Sequence, residues 1–262
     1  MLFVATLADI FGLAGHRAVV TGASSGLGVD LAEALAIAGC DVALVARRAD
    51  RLGEVARRLE PHGVRAIAVA GDLADLASIP AIFERCEQAL GPIDILVNNA
   101  GFLDSARAEK VTLERWSRML DVNLSAAFRL CQEFAKRRFV RGEPGRIVNV
   151  GSIFEVVASS TPGLAPYAAT KGAIRMLTRQ LAIEWASRGV TVNSLAPGFF
   201  PTELNVKDFE RPGVRERVEA FIPLGRLGRA GELTAALLFL VSPTATYVTG
   251  STVFVDGGYT AW

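Results

Sequence analysis

Histidine and cysteine are scarce in this 262-residue chain, with two and three copies, and neither occurs at metal-ligand spacing. His16 and His62 lie near turns, so no metal site is expected. Cys40, Cys86 and Cys131 are far apart, each in or beside an expected helix. That pattern reads as buried free thiols in a reducing compartment, taken as the cytoplasm, rather than as disulfides. No apolar run is long enough to cross a bilayer, so no membrane is expected as partner. The apolar start, residues 1–11, lacks a basic n-region and carries Asp9, which argues against a signal peptide. Charge of one sign is not in excess either. Lys and Arg number 28 against 27 Asp and Glu, and the basic stripe that nucleic acid requires is missing. Linkers, repeats and low-complexity tracts are also missing, so a single domain over 1–262 is expected.

What the chain has is hydrophobicity, 51% of its residues, enough for a large core. Short β-branched runs alternate with helical stretches almost to the end. Strands are expected at 18–20, 41–46, 65–70, 93–97, 146–150, 190–195 and 252–255. Helices are expected at 29–38, 50–60, 75–90, 112–139, 167–188 and 231–241. Strands this apolar, separated by helices, imply an α/β fold with a parallel sheet covered on both faces. The irregular stretch 198–228, rich in Pro and Phe, is placed as a lid or substrate loop.

The first expected strand runs into Thr21-Gly22-Ala23-Ser24-Ser25-Gly26-Leu27-Gly28 and then a helix. Glycine permits positive φ and close approach of a bulky group. A helix start offers unpaired N–H groups and partial positive charge, a seat for phosphate. In parallel sheets ligands sit beyond the C-terminal strand ends. Asp72, then Asn98-Asn99-Ala100-Gly101, then Ser152, then Pro197-Gly198 each stand where an expected strand stops. Singly, each reads as a turn or cap; jointly they line one rim.

Tyr167 and Lys171, four residues apart on a helix, project from one face. A phenol with its ordinary pKa of about 10 is a poor acid–base at neutral pH. An ammonium about 4 Å away favours phenolate by roughly 4 kcal/mol at an effective dielectric near 20. Desolvation opposes this, and a working value somewhat above 7 is expected. Such a group can give a proton to a carbonyl oxygen or take one from an alcohol. Ser152 is placed to hydrogen-bond the same oxygen. Asn123, a poor helix former within an expected helix, is placed to hold a water that relays protons.

These motifs, in this order and spacing, resemble the short-chain dehydrogenase/reductase family of single-domain, roughly 250-residue type. The resemblance runs from about residue 12 to 258 and includes Asp256-Gly257-Gly258. It implies a Rossmann-like doubly wound parallel sheet of about seven strands and a catalytic tetrad of Asn123, Ser152, Tyr167 and Lys171. It implies that Gly22, Ser24, Ser25, Gly26, Leu27 and Gly28 bind the cofactor's phosphates. Asp72 and Leu73 would then flank the adenine, and Asn99, Ala100, Gly101, Pro197, Gly198 and Phe200 would line the cofactor cleft. Lys171, with Tyr167, would hold the nicotinamide ribose, and Thr202 the carboxamide. Ser152 and Tyr167 are fifteen residues apart, about two more than the family pattern, which lengthens the loop 153–165.

The expected activity is hydride transfer between NAD(P)(H) and a ketone/secondary alcohol pair. An epimerase or dehydratase usually needs a longer C-terminal substrate domain. A non-catalytic dinucleotide sensor or scaffold would not need all of Ser152, Tyr167 and Lys171. NADPH is favoured over NADH because Ala46 stands where NAD-type members carry an acid and Arg47-Arg48 follow, with Arg47 the expected reader of a 2′-phosphate. Ser25, where many NADPH members carry a second basic residue, points the other way, and an NADH-dependent dehydrogenase remains an alternative. Phe154, Val156, Val157, Phe199, Phe200, Val206, Phe209 and Phe221 imply an apolar substrate, and Glu155 is the one acid near Ser152. No arginine cluster suggests a phosphorylated or acyl-carrier substrate. The resemblance also implies a homo-oligomer, commonly a tetramer.

Overall fold

The computed structural model describes residues 6–159, 162–203 and 205–261. Its centre is a seven-stranded sheet in the order β3-β2-β1-β4-β5-β6-β7. The strands are β1 (Arg17–Thr21), β2 (Asp41–Ala46), β3 (Ala66–Ala70), β4 (Ile95–Asn98), β5 (Gly145–Val150), β6 (Val190–Pro197) and β7 (Thr252–Val255). Every neighbouring pair is parallel. The family's doubly wound fold is therefore the one adopted.

Period-two alternation along the strands explains why both faces are covered. Ala18, Val20, Val42, Leu44 and Val148 point to one face. There they meet Leu31 and Leu35 of α2 (Leu27–Ile37), Leu52 and Leu59 of α3 (Ala49–Leu59), and Leu237 and Leu240 of α10 (Thr234–Val241). Val19, Ala43, Val45, Leu96 and Ile147 point to the other. They pack on Ile82 and Phe83 of α4 (Ile79–Leu90), Leu130 and Phe134 of α6 (Ala126–Arg141), and Leu181 of α7 (Ala165–Trp185).

Departures from the expected elements have local causes. A short helix α1 (Leu7–Phe11) forms because Thr6 and Asp9 make a reciprocal capping box. The stretch expected as one helix over 112–139 is α5 (Leu113–Leu120), a π-helical turn Asp121–Ser125, and α6. Within 198–228, α8 (Val206–Phe209) and α9 (Val214–Glu219) were not expected. Their apolar residues are too few to give a helical period.

Candidate active site

Strand order reverses between β1 and β4, and the crevice outside their C-terminal ends is where such folds bind ligands. The two strand ends are laced together there. Thr21 Oγ1 accepts from the backbone N–H groups of Asn99 and Ala100, both at 3.0 Å. Asn99 Nδ2 donates to Thr21 O at 2.9 Å and to Gly22 O at 3.3 Å. Two of the glycines are dictated by space, and Gly22 by φ as well. A Cβ on Gly22 (φ +67°) would stand 2.9 Å from Ala100 Cα, and one on Gly28 would strike the Gly22 carbonyl. Gly26 caps α2 with no side-chain cap, leaving that helix start open. A cleft of about 260 Å³ adjoins this helix start, lined by Gly26, Leu27, Asp30, Arg58, Phe200 and Thr202 and by none of the catalytic candidates. A tight, uncapped, side-chain-free cradle suits a dinucleotide diphosphate.

Beside the cradle stand the residues that follow β2. Arg48, not Arg47, turns back over it. Its guanidinium donates to Ser25 Oγ at 2.7 Å and to Ser24 Oγ at 3.1 Å, and also meets the Glu203 carboxylate at 3.3 Å. Arg47 is exposed, and its side chain makes no hydrogen bond among the described residues. Leu73 is buried, whereas Asp72 is exposed and accepts from Ala74 N–H in a local turn. At the far end of the rim, Gly198 admits the β7 end. A Cβ there would lie 2.7 Å from Asp256 Cα. Phe200 points inward against Gly228 rather than into open space.

The catalytic candidates converge at the end of β5. Lys171, 6% exposed, donates from Nζ to Val150 O at 2.7 Å, with Nζ 5.6 Å from the centre of the Tyr167 ring. Burial lowers the Lys171 ammonium to about 8, with Glu155 pulling against it. The Tyr167 phenol moves the other way. Burial raises it to about 12, and a hydrogen bond with Ser152 recovers part of the shift. The phenol therefore lies above the expected working value, because burial outweighs the Ser152 hydrogen bond. Asn123 sits on the π-helical turn, a device common at functional sites. Its Oδ1 accepts from Phe102 N–H and its Nδ2 donates to Phe102 O, both at 2.9 Å. Both polar atoms of the Asn123 side chain thus bind the loop after Gly101.

Two features were missed by sequence reasoning. Glu155 does not face the substrate side. It is 7% exposed and accepts from Ser194 Oγ at 2.6 Å and Thr252 Oγ1 at 3.3 Å, tying the Ser152 turn to β6 and β7. Burial raises its pKa. The second is Tyr259. Edge-to-face contacts run from Tyr167 to Phe154 (6.1 Å), to Phe199 (6.5 Å) and on to Tyr259 (5.2 Å). Asp256, which accepts from Gly258 N–H, Thr260 N–H and Thr260 Oγ1, shapes the turn that delivers this ring. The only sequence signal was Asp256-Gly257-Gly258, a turn former just before it.

A phosphate cradle at the switch point and a Tyr–Lys–Ser cluster at the next strand end, with the lysine and serine buried, define a nicotinamide-dinucleotide oxidoreductase. Comparison with known proteins agrees. Residues 22–260 match the family described as "Enoyl-(Acyl carrier protein) reductase". The chain is 40% identical over 253 residues to galactitol 2-dehydrogenase (L-tagatose-forming) of Cereibacter sphaeroides, spanning 97% of this chain and 98% of that one. It is 38% identical over 252 residues to 3beta-hydroxysteroid dehydrogenase 1 of Eggerthella lenta, spanning 95% of each. A crystal structure of a gluconate 5-dehydrogenase from Burkholderia cenocepacia, in complex with NADP and tartrate, superposes with a TM-score of 0.92. It is 38% identical, with 98% of this chain and 100% of that one covered. The chain belongs to the short-chain dehydrogenase/reductase family, and it is an NAD(P)-dependent oxidoreductase of an alcohol/ketone pair.

Proposed function

We propose that this enzyme interconverts an apolar, cyclic or aromatic ketone and its secondary alcohol, with NADPH as the favoured dinucleotide and Tyr167 as the proton-transfer group. The observation that carries the reading is the aromatic row Tyr167–Phe154–Phe199–Tyr259 leading up to the catalytic phenol. Hydroxyl groups buried against such rings find no partner, which is costly. The nicotinamide supplies or takes the hydride when bound. The chain's own residues do the rest. The phenol of Tyr167 gives its proton to the carbonyl oxygen or accepts one from the alcohol, Ser152 orients that oxygen, and Lys171 supplies positive charge beside the ring. Relatives bear on the substrate unevenly, since one is named for galactitol and another for a hydroxysteroid. A panel of cyclic ketones and free ketoses, ranked by kcat/KM, tests the reading. A ketose turned over faster than every ketone would overturn it.

The preference for NADPH rests on the missing acid at Ala46 and on Arg48, whose planar fork suits a phosphate. It is supported by the NADP held in the gluconate 5-dehydrogenase structure. Arg48→Ala is expected to lower kcat/KM for NADPH by about tenfold or more, from loss of one charge-assisted contact, with little change for NADH. Arg47→Ala, at the residue favoured by sequence, is expected to change neither much. A wild-type enzyme faster with NADH, or an Arg48→Ala enzyme with unchanged cofactor ratio, would refute the assignment.

A homotetramer in the cytoplasm completes the proposal. The two long helices carry apolar residues on more than one face, and of these Leu130, Phe134 and Leu181 belong to the core. Phe128 and Met176 remain exposed with Trp116 and Ile183 on one flank, while Phe239 and Tyr247 are exposed elsewhere. Exposed apolar groups in two places are what a two-interface assembly would cover. The three cysteines, free and buried, suit a reducing compartment. Light scattering at micromolar concentration should give four times the chain mass; a stable monomer would end the idea.

A further inference from the structure

The lid carries a carboxylate to the very residue that the cofactor's ribose must recruit. Glu203 follows Thr202, whose Cβ lies 3.3 Å from where a Cβ on Gly26 would stand, so the start of the lid rests on the phosphate cradle. From there Glu203 Oε2 meets Arg48 at 3.3 Å and Oε1 meets Arg51 Nη1 at 3.4 Å. Arg48 is in turn fixed by Ser24 and Ser25. The hydrogen bond from Arg48, with help from Ser25 and Arg51, holds the Glu203 carboxyl below its ordinary value, so it is ionised at neutral pH. Both partners are near half exposed, which leaves the guanidinium open to a competing anion.

We propose that Glu203 is a specificity-determining residue, competing with a ribose 2′-phosphate for the Arg48 guanidinium and so limiting the preference for the phosphorylated dinucleotide. The inference rests on Arg48 being the phosphate reader. An arginine fork has donors enough for a carboxylate and two hydroxyls, but a dianionic phosphate arriving on the same side meets the Glu203 charge. A dinucleotide with a free 2′-hydroxyl brings no such charge and leaves the pair intact. Glu203 thereby occupies, from the lid, the electrostatic role that an acid at the end of β2 would have, at the position taken by Ala46.

The test is direct binding, measured calorimetrically with adenosine 2′,5′-bisphosphate and with 5′-AMP, on wild type, Glu203→Gln, Arg48→Ala and the double variant. Removing one negative charge beside a dianion at the protein surface is expected to tighten the bisphosphate about five- to tenfold, less at high salt. Binding of 5′-AMP should move by less than about twofold, as expected when no 2′ charge is present. In the Arg48→Ala background the same substitution should shift the bisphosphate-to-AMP ratio much less, since the contested group is gone. An unchanged ratio in Glu203→Gln, while Arg48→Ala still lowers it, would overturn the role of Glu203 and keep the arginine. A ratio indifferent to Arg48→Ala would overturn both. Both side chains lie at the surface, so folding of the variants is checked simply by an unchanged melting curve.

Discussion

Tyr167→Phe should lower kcat by about 10²- to 10⁴-fold while NADP⁺ binding stays within about twofold, because the ring remains and only the exchangeable proton is lost. Its ring packs against Phe154, and Lys171 keeps its bond to Val150 whether or not the hydroxyl is present. The pH dependence carries the sign. With Tyr167 in its proposed role, reduction would use the protonated phenol, and with the group raised to about 12 that proton donor is present throughout the neutral range. Oxidation uses the phenolate, whose fraction grows about tenfold per pH unit below that value. Wild-type oxidation should therefore climb with pH until Lys171, lowered to about 8 by burial, gives up its own charge. Reduction should change little over the same span. A Tyr167→Phe enzyme keeping more than about a tenth of wild-type kcat would show that another group moves the proton.

Gly28→Ala is the second large effect, and it is steric. The added methyl would strike the Gly22 carbonyl and stand 2.6 Å from Asn99 Nδ2, the amide that joins β1 to β4. Neither can retreat without opening the crevice. Overpacking of this kind costs about 1–3 kcal/mol. Spread over the fold, that lowers Tm by roughly 2–4 °C per kcal/mol. Concentrated in the cradle, the same energy weakens NADP⁺ binding by up to about a hundredfold. Gly53→Ala is the control, since a Cβ there meets only Arg57 Nη1 at 3.8 Å in the middle of α3. That change should hold or raise stability by about 0.5–1 kcal/mol. A Gly28→Ala protein with wild-type Tm and wild-type NADP⁺ affinity would contradict the cradle geometry.

Much of this could be read before any coordinates, for a physical reason. A parallel strand buried on both faces is nearly all apolar, so Asp41–Ala46 stands out along the chain with both bounds right, and the half-buried edge strand Thr252–Val255 is found by its β-branched run. The strand-end rule then placed Asn99, Ser152 and Pro197 on one rim without knowledge of any contact. What stayed hidden depends on side-chain direction. Arg47 and Arg48 are adjacent and chemically alike, and only the turn into α3 decides which reaches Ser24 and Ser25. Glu155 is three residues from Ser152, so proximity suggested the substrate side, yet Ser194 and Thr252 lie far along the chain and capture it. Tyr259 meets Phe199 only after the sheet is complete.

The hydrogen bond from Thr252 to Glu155 ties the Ser152 turn to the last strand of the sheet. The glycine turn, the arginine and the β1–β4 lacing are all drawn from the first hundred residues. The catalytic turn is different. Its buried carboxylate gains its second hydroxyl partner only when β7, the last strand made, docks beside β6. A chain halted before residue 252 would possess every member of the tetrad and the whole cofactor cradle, with one end of Glu155 still in search of a donor. Loss of β7 would therefore reach the site from its far side, through Glu155 and the Ser152 turn, and not through the glycine turn or the arginine.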